Sequence, residues 1–292
     1  MIYVADKGRM ANNIFQYGHV YAWAREHGRK SVSMRFAYKY PFFHITHTRY
    51  HRFIVYFLAK YAAKLHLMPT VEYTSFKDDY SEEEAVINSH KNVLVKGWHV
   101  RYPKLFMKYI DEIRELFAFD DVIHKVVDKK LMPYKNSVKL GVHIRRGDYK
   151  TFMNGRFFYT DEQYLNAIKQ FICIQKEANP DRRIDIFICG NDPKLNQAFY
   201  RDALGAEYVH FPQGTGEEDL YMLSQCNYLI GAPSSYSLIA TMYDDNTRLY
   251  WIKDPKRQLM GSDFETFDVL FRKFDSYFSL SPALPKREGS AI

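Results

Sequence analysis

The second half of the chain repeats one pattern. A short apolar run is followed by a polar or glycine turn and then by an amphipathic stretch at helical spacing. The apolar runs are "SVKLGVHI" (137–144), "RIDIFICG" (183–190), "AEYVHF" (206–211), "NYLIGA" (227–232) and "RLYWI" (248–252). Between them lie "TDEQYLNAIKQFICIQKEA", "DPKLNQAFYRDAL", "GEEDLYMLSQC" and "SSYSLIATMYDD". Strands separated by helices run parallel, because the crossover returns each strand to the same end of the sheet. The pattern therefore predicts a parallel sheet with helices on both faces. Local signals agree. Thr160 with Gln163 three positions on spells a capping box. Pro193 suits the first turn of a helix that runs to Gly205.

The first half is less regular but opens the same way. "MIYVA" reads as a strand, "DKGRMANN" as a turn, and the following segment as a helix ending at Gly28. "KNVLVKGWHV" reads as a strand ending at Gly97, residues 51–68 and 102–119 as helices, and 120–137 as a helix and linker. The expected architecture is α/β, with a first lobe over 1–135, a second over 136–280 and a loose tail at 281–292. In such sheets ligands bind at the carboxyl ends of strands. This singles out "DKGRMANN", "HIRRGDY", "GND" and "APSSYS".

Composition excludes several classes. A 292-residue chain that is 47% hydrophobic can bury a large core. Cys173, Cys189 and Cys226 are too few and too scattered for a disulfide framework or a cysteine zinc site. They fit a reducing compartment. No leader pattern and no apolar run of about 18 residues is present, so a cytoplasmic protein is expected. The net charge of +7 favours anionic ligands without choosing one. No recognised nucleic-acid module occurs, and no nucleic-acid partner is expected. Between Glu26 and Glu72 there is no acidic residue. The basic, aromatic block at 35–68 has three readings: a peripheral membrane surface, a dock for an acidic partner, or helical packing with lysines snorkelling outward.

In "HIRRGDY", strand alternation would put His143 and Arg145 on one face, with Arg146 and Asp148 on the other, unless Gly147 breaks the pattern. Arg145 would then aim into a cleft while Arg146 meets the carboxylate. A guanidinium there suits a diphosphate, whose oxygens it can bind in pairs. A surface ion pair is the plain alternative. In "APSSYS", Ser234, Ser235 and Ser237 lead into a helix whose first N–H groups favour an anion, or one serine simply caps it. Asp192 is either a carboxylate for a guanine edge or the cap of the next helix, and the cap is the better reading from sequence. His44, His47 and His51 share a helical face but lack a neighbouring carboxylate or cysteine, so no metal site is expected. No Asp-x-Asp occurs to hold a divalent ion on a diphosphate.

Taken together and in order, these motifs resemble those of α-1,2-fucosyltransferases, glycosyltransferase family 11. "HIRRGDY" is similar to the family's His-x-Arg-Arg-x-Asp. "GRMANNIFQYGHVYAWAREHG", "KGWHVRYPKLFMKYIDEIRELFAF" and "DLYMLSQCNYLIGAPSSYS" resemble its other segments. The resemblance covers most of residues 1–250. It implies a GT-B-like fold, two Rossmann-like lobes facing a donor cleft. It implies inverting, metal-independent transfer from GDP-L-fucose, with no cofactor, to a galactose 2-hydroxyl of an oligosaccharide or lipid-linked glycan. By the same resemblance Arg145, with His143, Arg146 and Asp148, would serve the diphosphate, and Ser234, Ser235 and Ser237 would line the phosphates. Asp192 would read guanine, and Asn12 would close over donor and acceptor. Arg145, Asp148 and Asn12 are the expected catalytic set. The chain departs from the family at Ala11, where a glycine is common, at Tyr236, and at Leu238–Ile239, where two tryptophans are usual. These changes leave acceptor identity open. A transferase for another nucleotide sugar and a non-catalytic glycan- or membrane-surface binding protein remain the alternatives.

Overall fold

The computed structural model describes residues 1–279; the tail at 281–292 lies outside the described residues. The chain forms two parallel sheets. In the first half, β1 (Ile2–Ala5), β2 (Ser31–Ser33), β3 (Thr70–Glu72) and β4 (Val93–Lys96) pair in the order β2-β1-β4-β3. Its helices are α1 (Met10–Glu26), α2 (Phe53–Lys64), α3 (Ser81–Ser89), α4 (Pro103–Lys108), α5 (Ile110–Leu116) and α6 (Asp121–Leu131). In the second half, β5 (Val138–Ile144), β6 (Ile184–Gly190), β7 (Val209–His210), β8 (Tyr228–Gly231) and β9 (Arg248–Trp251) pair in the order β7-β6-β5-β8-β9. They are crossed by α7 (Asp161–Ala178), α8 (Gln197–Leu204), α9 (Gly216–Ser224) and α10 (Ser235–Ala240), and α11 (Phe267–Ser279) follows.

Both β5 and β6 are nearly continuous apolar runs because helices cover both faces of their sheet. The second sheet reverses its winding direction once, between β5 and β8, whereas the first steps from β1 to β2, across to β3 and back to β4, which leaves β1 and β4 side by side at its centre. A crevice opens where neighbouring loops leave in opposite directions, so the second sheet has its natural ligand position between β5 and β8.

Several boundaries differ from the sequence expectation. The helix read over 102–119 is two, broken at Tyr109, which caps both. The helix read from Pro193 begins at Gln197, because Asn196 caps it through the Phe199 N–H at 3.2 Å. The helix read over 51–68 occupies only 53–64. The Thr160 capping box and the left-handed Gly205 terminus (φ 91°) are as expected.

Helix α11 gave no motif and shapes the molecule strongly. It belongs in sequence to the second half yet packs against the first. Arg101 reaches Asp275 with two hydrogen bonds, 2.8 and 3.0 Å. The Arg101 guanidinium lies over the rings of Phe15 and Trp98. Phe271 and Phe274 pack against Phe15, merging residues of both sheets into one apolar cluster. That continuity holds the two lobes in register.

Candidate functional site

The carboxyl ends of the central strands of both sheets face one cavity of about 1040 Å³, at the upper end for small-molecule sites. Its first-lobe wall is Gly8–Asn12, Lys39, Tyr40 and Trp98; its second-lobe wall includes His143, Arg145, Asp148, Asn191, Asp219, Ser234, Ser235 and Tyr236. Phe274 and Phe278 of α11 complete it.

The strand end at β5 does not keep the alternation expected of it. Gly147 has φ of 26° and starts a tight turn over Gly147–Lys150. A side chain there would meet the Asn191 amide at 2.6 Å, so the turn needs glycine. The turn swings Asp148 back to Arg145, with Arg145 Nη2 to Asp148 Oδ2 at 2.8 Å. Arg146 instead lies between two other carboxylates, Asp161 at 2.6 Å and Asp192 at 3.2 Å, and also donates to the Tyr159 carbonyl. Asp148 therefore pairs with Arg145 rather than with Arg146, while Arg145 still faces the cavity as the sequence reading expects. Arg146 is absent from the cavity wall and acts as a brace beneath it. Arg145 lines the cavity over the Tyr149 ring at 5.2 Å, and its buried Nε has no partner in the protein. A buried donor left unpaired is unfavourable unless a ligand completes it.

Asp192 is also displaced from its expected place. One oxygen takes Arg146 and the other accepts the Lys194 N–H at 2.9 Å, and the residue does not line the cavity. It caps no helix, since α8 begins later, at Gln197, with Asn196 as its cap. Asp148, Glu217 and Asp219 do line the cavity, and of these Asp219 is the more buried carboxyl without an arginine partner. Burial pushes its pKa up to about 7, partly opposed by Lys130. In the sequence it opens "DLYMLSQC", one of the segments that resemble the family, in the first turn of the helix that follows β7.

The serine turn divides by role. Ser234 caps α10, accepting the Ser237 N–H at 3.2 Å. Ser237 is wholly buried and accepts the Trp251 indole N–H at 2.9 Å, so it holds the core rather than facing the cavity. Ser235 faces the cavity and donates to Asn12 Oδ1, a direct bond between the two lobes. His143 is buried against the Tyr236 ring, 4.7 Å away, with Nδ1 unpartnered. Burial, reinforced by Arg145, lowers its pKa to about 3, so it is a neutral imidazole at neutral pH. The positive charge in this wall is thus Arg145.

In the first lobe Asn12 is set by Gly8, whose φ is 91°; a Cβ there would fall 2.6 Å from the Asn12 amide nitrogen. Lys39 and Tyr40 reach the same cavity, with Tyr40 held at φ 60°. The three histidines do not converge. His44 is exposed, His47 pairs with Asp120 at 2.8 Å, and His51 is buried, accepting the Ser33 N–H at 3.0 Å. Among the described residues no cluster of three His, Cys, Asp or Glu could hold a metal ion.

Two parallel α/β lobes whose strand ends meet at one cleft define a GT-B-like architecture. The chain belongs to Glycosyl transferase family 11, whose profile matches residues 1–266. Among curated protein sequences none matches it. Solved structures share the fold at low identity. An arginine-to-lysine mutant of Arabidopsis thaliana FUT1 in complex with GDP is 13% identical with a TM-score of 0.59, over 90% of this chain and 73% of that one. POFUT1 in complex with GDP-fucose is 11% identical at 0.57, over 84% and 94%. NodZ α-1,6-fucosyltransferase soaked with GDP-fucose is 12% identical at 0.51, over 88% and 97%.

Proposed function

We propose that the protein transfers L-fucose from GDP-L-fucose to a glycan hydroxyl, the 2-hydroxyl of a galactose, with inversion and without a metal. One observation carries this reading: the Arg145 guanidinium, held by Asp148, faces the cavity beside the serine turn with a buried Nε–H still unpaired. Family membership supports it, and the structural relatives named above were solved with GDP or GDP-fucose.

As the bond from fucose C1 to the diphosphate oxygen breaks, negative charge gathers on the β-phosphate. Arg145 and Ser235 stabilise that charge with donors already in place, so little reorganisation is needed. His143, being neutral, contributes a hydrogen bond and shape rather than charge. Arg146 acts one layer behind, fixing the turn through Asp161 and Asp192. Asp148 orients the Arg145 fork. The Ser235–Asn12 bond joins the lobes over the reacting atoms, and the acceptor hydroxyl attacks C1 opposite the leaving diphosphate, losing its proton as the new bond forms.

For the nucleobase, Asp219 replaces Asp192. A guanine edge offers two neighbouring N–H donors, which a carboxylate accepts, while uracil offers one. The oxygens of Asp192 are already engaged; Asp219 lies in the cavity wall.

The deciding experiment incubates the protein with GDP-fucose and galactose-ended oligosaccharides in excess EDTA and assigns the product linkage by NMR. A fucosylated galactose 2-hydroxyl is expected, with competition by GDP and not by UDP. Strict dependence on Mn²⁺ or Mg²⁺, or inhibition by UDP alone, would overturn the proposal.

A further inference from the structure

Helix α2 is built inside out. Its inward residues are small: Ala59, Ala62 and Ala63 pack with Met34, Met68 and Leu94 at the edge of the first sheet. Its large apolar residues point away from the protein. Phe53, Ile54, Phe57, Leu58 and Tyr61 are all exposed, Phe53 by 61% and Leu58 by 60%. Leu65 and Leu67, just past its end, are exposed by 64% and 77%. At 3.6 residues per turn the outward residues cover an arc of about 140°, with Lys60 and Lys64 at one margin. A water-facing helix has the reverse arrangement, and a contiguous apolar surface of this kind marks an interaction site.

We propose that α2 and the turn after it form an interfacial anchor that seats the protein on a bilayer containing anionic lipid. Charge selects this occupant. Arg49, Arg52, Lys60 and Lys64 are exposed around the apolar face, and no acidic residue occurs between Glu26 and Glu72. A two-fold dimer through the same face would set this basic surface against its own copy, whereas anionic headgroups complement it. Among the described residues no helix is long and apolar enough to cross a membrane, so α2 lies in the plane of the interface.

The anchor adjoins the cavity. Tyr56 on the inner side of α2 packs on Tyr38, ring centres 4.4 Å apart, and the next two residues, Lys39 and Tyr40, line the cavity. If the transferase reading above holds, and this step rests on it, the acceptor is a glycan carried by a lipid in that same membrane.

The test is flotation of the full chain with vesicles of phosphatidylcholine alone, or with equal parts of phosphatidylglycerol. Wild type should float with the anionic vesicles and detach as salt rises. Phe57→Ser with Leu58→Ser should weaken vesicle binding about tenfold or more. Lys60→Glu with Lys64→Glu should abolish the preference for anionic lipid. GDP affinity, measured on the same samples, should be unchanged in both variants. Wild type that stays in solution, or floats no better than the serine variant, overturns the anchor, as does a dimer in sedimentation that the serine variant dissolves. Flotation without any binding of GDP would sink the transferase reading and leave the anchor standing.

Discussion

The carboxyl ends of β5 and β1 are the same device built in two ways. Each is an interior strand of its sheet running into a glycine turn. At β5 the charges are sunk and paired: the side chains of Arg145 and Arg146 are only 15% and 11% exposed, and each has a carboxylate partner. At β1, Lys7 and Arg9 stand exposed, and the turn is held instead by Gln16, whose amide donates to the Lys7 carbonyl at 2.7 Å and the Asn12 carbonyl at 2.9 Å. A paired, buried wall presents its remaining donors at fixed positions and suits a leaving group whose geometry does not vary. An open wall with solvated charges tolerates change.

The largest test of this contrast is Arg145→Ala. Transfer should fall about 100- to 1,000-fold, the loss seen when one donor to a developing anion is removed. The thermal melt should be unchanged, and Arg145→Lys should recover part of the rate. Turnover near wild type would remove Arg145 from the chemistry.

Arg146→Ala should separate the two arginines. It strands Asp161 and Asp192, so unfolding in urea should show a loss of about 3 kcal/mol. A variant of full stability with a lost rate would place Arg146 in contact with the donor and restore the expectation drawn from sequence.

At the β1 end, Gly8→Ala forces a side chain into left-handed backbone and onto Asn12. It should cost about 1–2 kcal/mol of stability and, by loosening the Asn12–Ser235 bond, lower kcat/KM by about tenfold. The affinity for GDP, which the proposed function places at the second lobe, should change little.

The smallest effect is a pH dependence. The pKa of Asp219 is raised by burial to about 7. The folded chain therefore holds that proton more tightly than the unfolded chain. Its contribution makes stability fall as pH rises from the ordinary carboxyl range to about 7, and level off above. Only the ionised carboxylate accepts both guanine N–H groups, so GDP-fucose affinity should rise as pH passes upward through about 7. Calorimetric titration across this range should show the rise in wild type and a flat profile in Asp219→Asn. An unchanged profile in that variant would move guanine recognition elsewhere.

Much of this site was legible in the sequence, because strand ends and helix caps are local. "HIRRGDY" and "APSSYS" were found without coordinates, and both flank the switch point of the second sheet. Their partners were not legible. Arg146 is separated from Asp161 by fifteen positions and from Asp192 by forty-six. Ser237 looked like its neighbours until Trp251, fourteen positions on, turned out to hold it in the core. Asp219 opens the segment "DLYMLSQC", but its raised pKa comes from burial, which no local pattern reports.

The sequence by itself determined the parallel α/β class, the ends of the strands that matter and the family. Those properties follow from hydrophobic period, turn residues and motif order within a few dozen positions. Tertiary structure alone decided which arginine takes Asp148, which carboxyls join it at the cleft and which helix turns its apolar side outward. Pairing and burial are set by residues that are distant in the chain and meet only when both sheets and α11 have packed together.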